Sequence, residues 1–174
     1  MTLKAFPSLD QLLADTDQPL VQLTEALLPA ICQILQTDRC FLQVRHPTRR
    51  LYQIFCWQRP GFPDLTTDGW QPEEPWEEED PMFAAALRAA PSIFVEDVDS
   101  AGPETLNRDF ERQNMGHRAL IHGHICQDGL LWGILQPCVF GSARRWSESD
   151  RRFVLEMIEC IKPRVVSYGQ SALA

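Results

Sequence analysis

The stretch HRALIHGHICQDGLLWGILQPCV, His117 to Val139, decides the fold. Two apolar runs flank Asp128-Gly129, and Asp-Gly between alternating hydrophobic residues is the strongest short hairpin signal. A two-residue turn would set Cys126 opposite Leu131 and bring Cys138 near Ala119. Side chains alternate along a strand. His122, His124 and Cys126 therefore share one face of the hairpin with Leu120, Leu131 and Leu135, a mixture that suits a surface beneath a terminal helix. Ala119, Ile121, Gly123, Ile125, Trp132, Ile134, Gln136 and Cys138 form the opposite face.

Working outward, Ser147 is an N-cap residue for a final helix whose apolar face runs through Phe153, Val154, Met157, Ile158, Ile161 and Val165. Pro163 predicts a bend in it, or its end. Near the other end of the chain, Leu20, Leu23, Leu27, Ile31 and Leu35 recur at helical spacing, and Pro29 predicts a kink or split. CFLQVRH (Cys40–His46) and LYQIFCW (Leu51–Trp57) read as strands around the turn-like PTRR. DPMFAAALRAA starts with Pro81 in the first turn of a short helix, SIFVEDV (Ser92–Val98) is a third strand, and another short helix is expected from Pro103 to about Gln113. The order is helix, two strands, helix, strand, helix, two strands, helix. This predicts an α+β architecture: a mostly antiparallel five-stranded sheet with the N- and C-terminal helices on one face. Short helices and the Pro-rich loop from Arg59 to Asp80 would lie over a pocket on the other face. Residues 18–168 form the expected domain, with an N-terminal extension (1–17) and a C-terminal tail (169–174).

Composition narrows the function. The 174 residues carry a net charge of −8, which argues against binding nucleic acid through phosphates. No apolar run is long enough for a membrane span, and MTLKAFPSLDQ lacks the pattern of a secretory signal, so the expected location is cytoplasmic. The acidic run Gln71 to Asp80 reads as a solvated loop, with a docking surface for a basic partner as the sharper alternative. The pairs Arg49-Arg50 and Arg144-Arg145 read as solvated turns. Cysteines at 32, 40, 56, 126, 138 and 160 show no zinc spacing and suggest buried thiols without a disulfide framework.

The segment LLWGILQPCVFGSARRWSESDRRF, the Asp80-Pro81 helix followed by Val95–Val98, and ALLPAICQILQTDRCFLQVR (Ala26–Arg45) resemble the GAF domains of phytochromes and cyanobacteriochromes. The likeness covers roughly residues 18 to 168. It implies a sensory domain with a pocket against the sheet. Bilin-binding members carry a Cys-His pair about eleven residues before an Arg-Ala; counting from Arg118-Ala119, those positions hold Asn107 and Arg108. A His expected after the LWG strand is Cys138. Covalent bilin is therefore not expected, nor any resident cofactor.

The resemblance, with the strand alternation, gives a candidate ligand pocket of Phe94, Asp97, Asn107, Arg108, His117, Ile121, Trp132, Ile134, Gln136 and Cys138. Gln136 is its main polar group, and Arg108 and His117 lie at the rim. Whether this face is packed core or an open pocket stays unresolved at this level. The leading expectation is a non-catalytic module that binds a small molecule or a protein partner and dimerises through its terminal helices. A polar, ragged C-terminus and a start at Met1 slightly favour a stand-alone protein over a fragment of a larger sensor. The alternatives are a redox or metal switch using Cys138 or the His122/His124 pair, and a reductase resembling the GAF-fold enzymes that act on free methionine sulfoxide.

Overall fold

The computed structural model describes residues 8–173; the first seven positions of the expected N-terminal extension lie outside them. The chain folds as α1 (Leu9–Ala14), α2 (Leu20–Leu35), β1 (Arg39–His46), β2 (Leu51–Gln58), β3 (Gln71–Pro72), α3 (Pro81–Leu87), β4 (Ile93–Val95), α4 (Arg108–Asn114), β5 (Ala119–Gln127), β6 (Leu130–Val139) and α5 (Glu148–Gln170), with a 3-10 turn at Trp76–Glu78 ahead of α3. The strands form one open antiparallel sheet in the order β3-β2-β1-β6-β5-β4. The two-residue β3 on the edge makes it six strands where the sequence predicts five.

The α+β layering is as expected. Helices α2 and α5 pack on one sheet face, where Leu23, Leu27, Ile31, Val154, Ile158 and Ile161 meet Leu42, Val44, Ile121, Ile125 and Leu135 in the main core. Both prolines are absorbed. Helix α2 runs through Pro29 without a break, and α5 continues past Pro163 to Gln170. A proline removes one donor and crowds the preceding turn, and the extensive burial of both helices outweighs that penalty. Ser147 caps α5 with a reciprocal capping box through Asp150. Helix α1 packs back on this layer, with Leu12 buried.

The Asp128-Gly129 turn has positive φ at both residues, 53° and 74°, as a type I′ turn requires. Cys126 pairs with Leu131 as the sequence predicts, but Ile125 then pairs with Gly133. Trp132 is an extra residue, a β-bulge, and beyond it the register is displaced by one: Leu120, not Ala119, faces Cys138. A one-residue shift exchanges faces. The sequence-based pairing of faces is therefore corrected. Ile121, Gly123 and Ile125 face the helices, together with Leu135, while His122 and His124 share the opposite face with Ile134.

The acidic run is also corrected, because it is not simply a solvated loop. Glu73 has a fully buried side chain that pairs with Arg45 and, at 2.7 Å, with Arg50; Glu77 takes a two-pronged hydrogen bond from Arg50. The basic partner of these acids lies in the chain's own β1–β2 hairpin.

Candidate functional site

The sheet face away from α2 and α5 carries a cavity of about 310 Å³. Its floor comes from alternate residues of adjoining strands: Phe41 and Gln43 of β1, which pair with Gln136 and Ile134 of β6, and His122 of β5. Tyr52 and Ile54 extend the floor on β2, while Trp76, Met82, Phe83, Phe110 and Glu111 come from the segments above it. Tyr52 and Trp76 meet edge to face at 4.9 Å, and Trp76 and Phe83 at 5.5 Å. Aromatic rings thus wall the cavity, and two amides and an imidazole stand in its floor among Phe41, Ile54 and Ile134.

Two helix caps position its acids. Asp80 is the N-cap of α3 and accepts a hydrogen bond from the Met82 N–H at 3.0 Å. Burial, followed by the nearby Glu111 charge, raises its carboxyl to about 6. Asn107 caps α4 by accepting from the Asp109 and Phe110 N–H groups. The helix it starts projects Glu111 inward, where the carboxylate is almost wholly buried.

Glu111 ends a buried polar chain. Arg39, with no exposed surface, donates to His117 Nε2 at 2.5 Å and to the Pro63 carbonyl at 2.9 Å. Since Nε2 accepts, the proton of a neutral His117 ring sits on Nδ1, which lies 2.5 Å from Glu111 Oε1. Burial lowers the His117 pKa; Glu111 opposes this shift and Arg39 adds to it. The ring links a buried guanidinium to a buried carboxylate at the back of the cavity.

A second chain reaches the cavity. His124 Nδ1 lies 2.7 Å from the Ala90 carbonyl, so it is the donor; its Nε2 must accept, and His122 Nδ1 donates to it at 2.8 Å. The remaining nitrogen of His122, Nε2, therefore carries a lone pair. Burial holds His122 well below the ordinary imidazole range, with smaller contributions from His124 and His117.

Of the ten pocket residues expected from sequence, only Ile134 and Gln136 line this cavity. His117 stands directly behind it, with its Nδ1 3.4 Å from the Gln136 amide. Cys138 is buried beside Leu120, Leu106 and Met82, and its thiol pKa is raised by burial. Ile121 and Trp132 pack on the helix side of the sheet, Trp132 through the bulge. Phe94 and Asp97 line a separate open groove with Arg144, Arg145 and Arg151, where Arg151 sits 4.6 Å from the Phe94 ring and Asp97 pairs with Arg118. Asn107 and Arg108 lie on the outer side of α4, where Arg108 donates to the Asp99 carbonyl.

Sequence reasoning missed Phe41, Gln43, Asp80 and Glu111, and weighed His122 only as half of a metal or redox pair with His124. One signal was present in β1, where Arg39, Gln43 and Arg45 alternate with Cys40, Leu42 and Val44. A strand with one apolar face and a second face of long polar side chains indicates a polar interior rather than solvent.

Apart from the neighbouring Cys32 and Cys40, the thiols are dispersed. Phe41, not Cys40, is opposite Cys56, so the Cys40 and Cys56 side chains point to opposite faces of the sheet. Burial lifts Cys56 to about 11. Cys32 and Cys40 are neighbours in the helix-facing core, where a hydrogen bond from Cys40 lowers Cys32 and burial raises Cys40. Among the described residues no group of three or more His, Cys, Asp or Glu side chains is arranged to hold a metal ion. No helix among them is long and apolar enough to cross a membrane.

No protein-family model and no curated protein sequence matches the chain. Solved structures do. The GAF3 domain of Slr1393 from Synechocystis, in its photoproduct state, superposes with a TM-score of 0.63 at 20% identity, over 88% of this chain and 96% of that one. The chromophore-binding domain of a bacteriophytochrome from R. palustris gives 0.69 at 16% identity, covering 94% of this chain and 59% of the other. Free methionine-R-sulfoxide reductase from Neisseria meningitidis, in complex with its substrate, gives 0.65 at 13% identity, over 94% and 86%. The chain therefore has the fold of GAF domains.

Proposed function

We propose that this protein is a sensory or regulatory GAF module that holds a small molecule non-covalently in the cavity between the sheet and helices α3 and α4. The observation that carries the reading is Gln43. Its side chain is buried, it lines the cavity, and among the described residues its Nε2 has no hydrogen-bond partner. An unpaired buried amide donor costs about 1 to 3 kcal/mol. A ligand acceptor, or a bound water that a ligand displaces, would recover that energy. A cavity of about 310 Å³ lies at the lower end of the range for small-molecule sites.

The reading is non-catalytic. Cys56 and Cys138 lie on the cavity side of the sheet, and burial holds their thiols protonated, which suppresses the thiolate a nucleophile needs. Asn107 and Arg108 supply no sulfur for a thioether, so a covalent bilin is not part of the proposal. The output surface is the pair of long helices on the other face of the sheet. Ile34 of α2 and Leu155 of α5 are about half exposed, at 49% and 45%, which supports a homodimer through these helices. The expected location is cytoplasmic.

A thermal-shift screen of neutral, cationic and anionic heterocycles tests the ligand claim. A compound that binds only the folded state must raise the melting temperature with concentration. A screen in which no compound does so contradicts the proposal. Light scattering at tens of micromolar tests the dimer, and a mass of 19.9 kDa contradicts it.

A further inference from the structure

The residues around the cavity also define the chemistry of what enters it, given the ligand-binding reading above. Among the described residues, two carboxyl groups line the cavity, Asp80 and Glu111, and no lysine or arginine does. Two buried guanidiniums lie nearby. Arg45 is held by Glu73 and the Leu131 carbonyl, and Arg39 by His117 and the Pro63 carbonyl, with the Arg39 Nε left without a partner among the described residues. An anionic group placed here would meet two buried carboxyl groups, and like charges held close together disfavour one another.

The hydrogen-bonding pattern points the same way. The relay from Ala90 through His124 leaves His122 Nε2 as an acceptor. Asp80 and Glu111 are acceptors when ionised. Among the described residues that line the cavity, Gln43 Nε2 is a buried donor without a partner. The walls are aromatic, with Tyr52, Trp76 and Phe83 packed edge to face around the opening, and such faces attract cations.

We infer that the cavity binds a planar nitrogen heterocycle bearing amidine- or guanidine-type N–H donors, neutral or singly cationic, and excludes phosphorylated or carboxylated ligands. The N–H groups face Asp80, Glu111 and His122 Nε2, a ring nitrogen accepts from Gln43, and the ring packs against Trp76.

The test uses 2-aminobenzimidazole as the probe, with benzimidazole-5-carboxylate and indole as ring-matched anionic and apolar controls. Binding to the full chain is read by calorimetry and by quenching of tryptophan fluorescence. The aminobenzimidazole is expected to bind saturably and the carboxylate not to bind. Asp80→Asn keeps an N-cap side chain while removing the charge, and it should weaken the probe about tenfold, the loss of one charge-assisted hydrogen bond. Glu111→Gln should act in the same direction. Equal binding of the carboxylate, or unchanged affinity in both variants, overturns the inference. Binding of indole without the amine overturns it too but leaves a ligand cavity standing. If no probe of the three binds, this inference falls, while the ligand-binding reading is decided separately by the thermal-shift screen.

Discussion

His122 donates from Nδ1 to Nε2 of His124 at 2.8 Å, and His124 is itself fixed by the Ala90 carbonyl. Each neutral ring has its tautomer set by the next, and neither can take up a second proton without breaking the chain or charging a buried group. Burial lowers both pKa values, His122 by far the more. A lowered imidazole pKa means that the unfolded chain binds the proton first. The stability involved is present above the ordinary value of 6.5 and is lost as the pH falls below it.

The corresponding experiment is urea unfolding from pH 7.5 to 5. His122→Asn retains an N–H donor toward His124 but cannot titrate. The variant should lose less stability on acidification than the parent, by about 1.4 kcal/mol per pH unit below 6.5. Parallel curves for the two proteins would show that His122 does not titrate in this way.

Asp80 acts in the opposite sense. Its carboxyl is raised to about 6 from 3.8, so the folded protein binds the proton more tightly than the unfolded one. Stability from this group falls as the pH rises from about 4 to 6. Asp80→Asn keeps the cap and removes the buried charge. At pH 7 it should stabilise the protein by on the order of 2 to 3 kcal/mol, with no gain at pH 3. Destabilisation at pH 7 would mean that the carboxylate has a charged partner in the protein.

The chain Arg39–His117–Glu111 should be costly to interrupt. His117→Leu leaves a buried guanidinium and a buried carboxylate without the ring between them. Removing one partner from a buried ionic group costs about 3 to 5 kcal/mol. Thermal unfolding should show a fall of about 6 to 20 °C for a loss of that size, and a fall within a degree or two would contradict the linkage.

Gly133 allows β6 to lie close to β1. A Cβ there would come 2.6 Å from the Gln43 carbonyl and 3.1 Å from Val165 Cγ1. The carbonyl belongs to a central strand that cannot retreat without losing its ladder. Gly133→Ala should destabilise by about 2 to 3 kcal/mol in denaturant unfolding. It should also disturb the cavity, because Gln43 is the residue displaced. An unchanged midpoint would show that the two strands can separate.

The scaffold was legible in the sequence because its signals are local. Leu20 to Leu35 repeats at helical spacing, Asp128-Gly129 demands a type I′ turn, and Ser147 with Asp150 writes a capping box. The site was less legible because it depends on register. One bulged residue, Trp132, exchanges the faces of β5 relative to β6, and nothing in the alternation of apolar side chains marks where an extra residue will sit. Ile121 consequently moved to the core and His122 to the cavity. The prolines misled for a related reason: Pro29 and Pro163 obey a local rule that the burial of α2 and α5 overrides. The pairing of Glu73 with Arg45 spans 28 residues, a distance at which charge patterning gives no signal.

The most direct test of a ligand-holding interior is native mass spectrometry of the protein after incubation with a small-molecule extract, beside the variant Ile134→Trp. Ile134 is buried and lines the cavity, so an indole at this position occupies the space a ligand would use. The parent should carry a small-molecule increment above its chain mass of 19.9 kDa that disappears on denaturation, and the variant should carry none. A bare chain in both samples, or the same increment in both, would contradict the account.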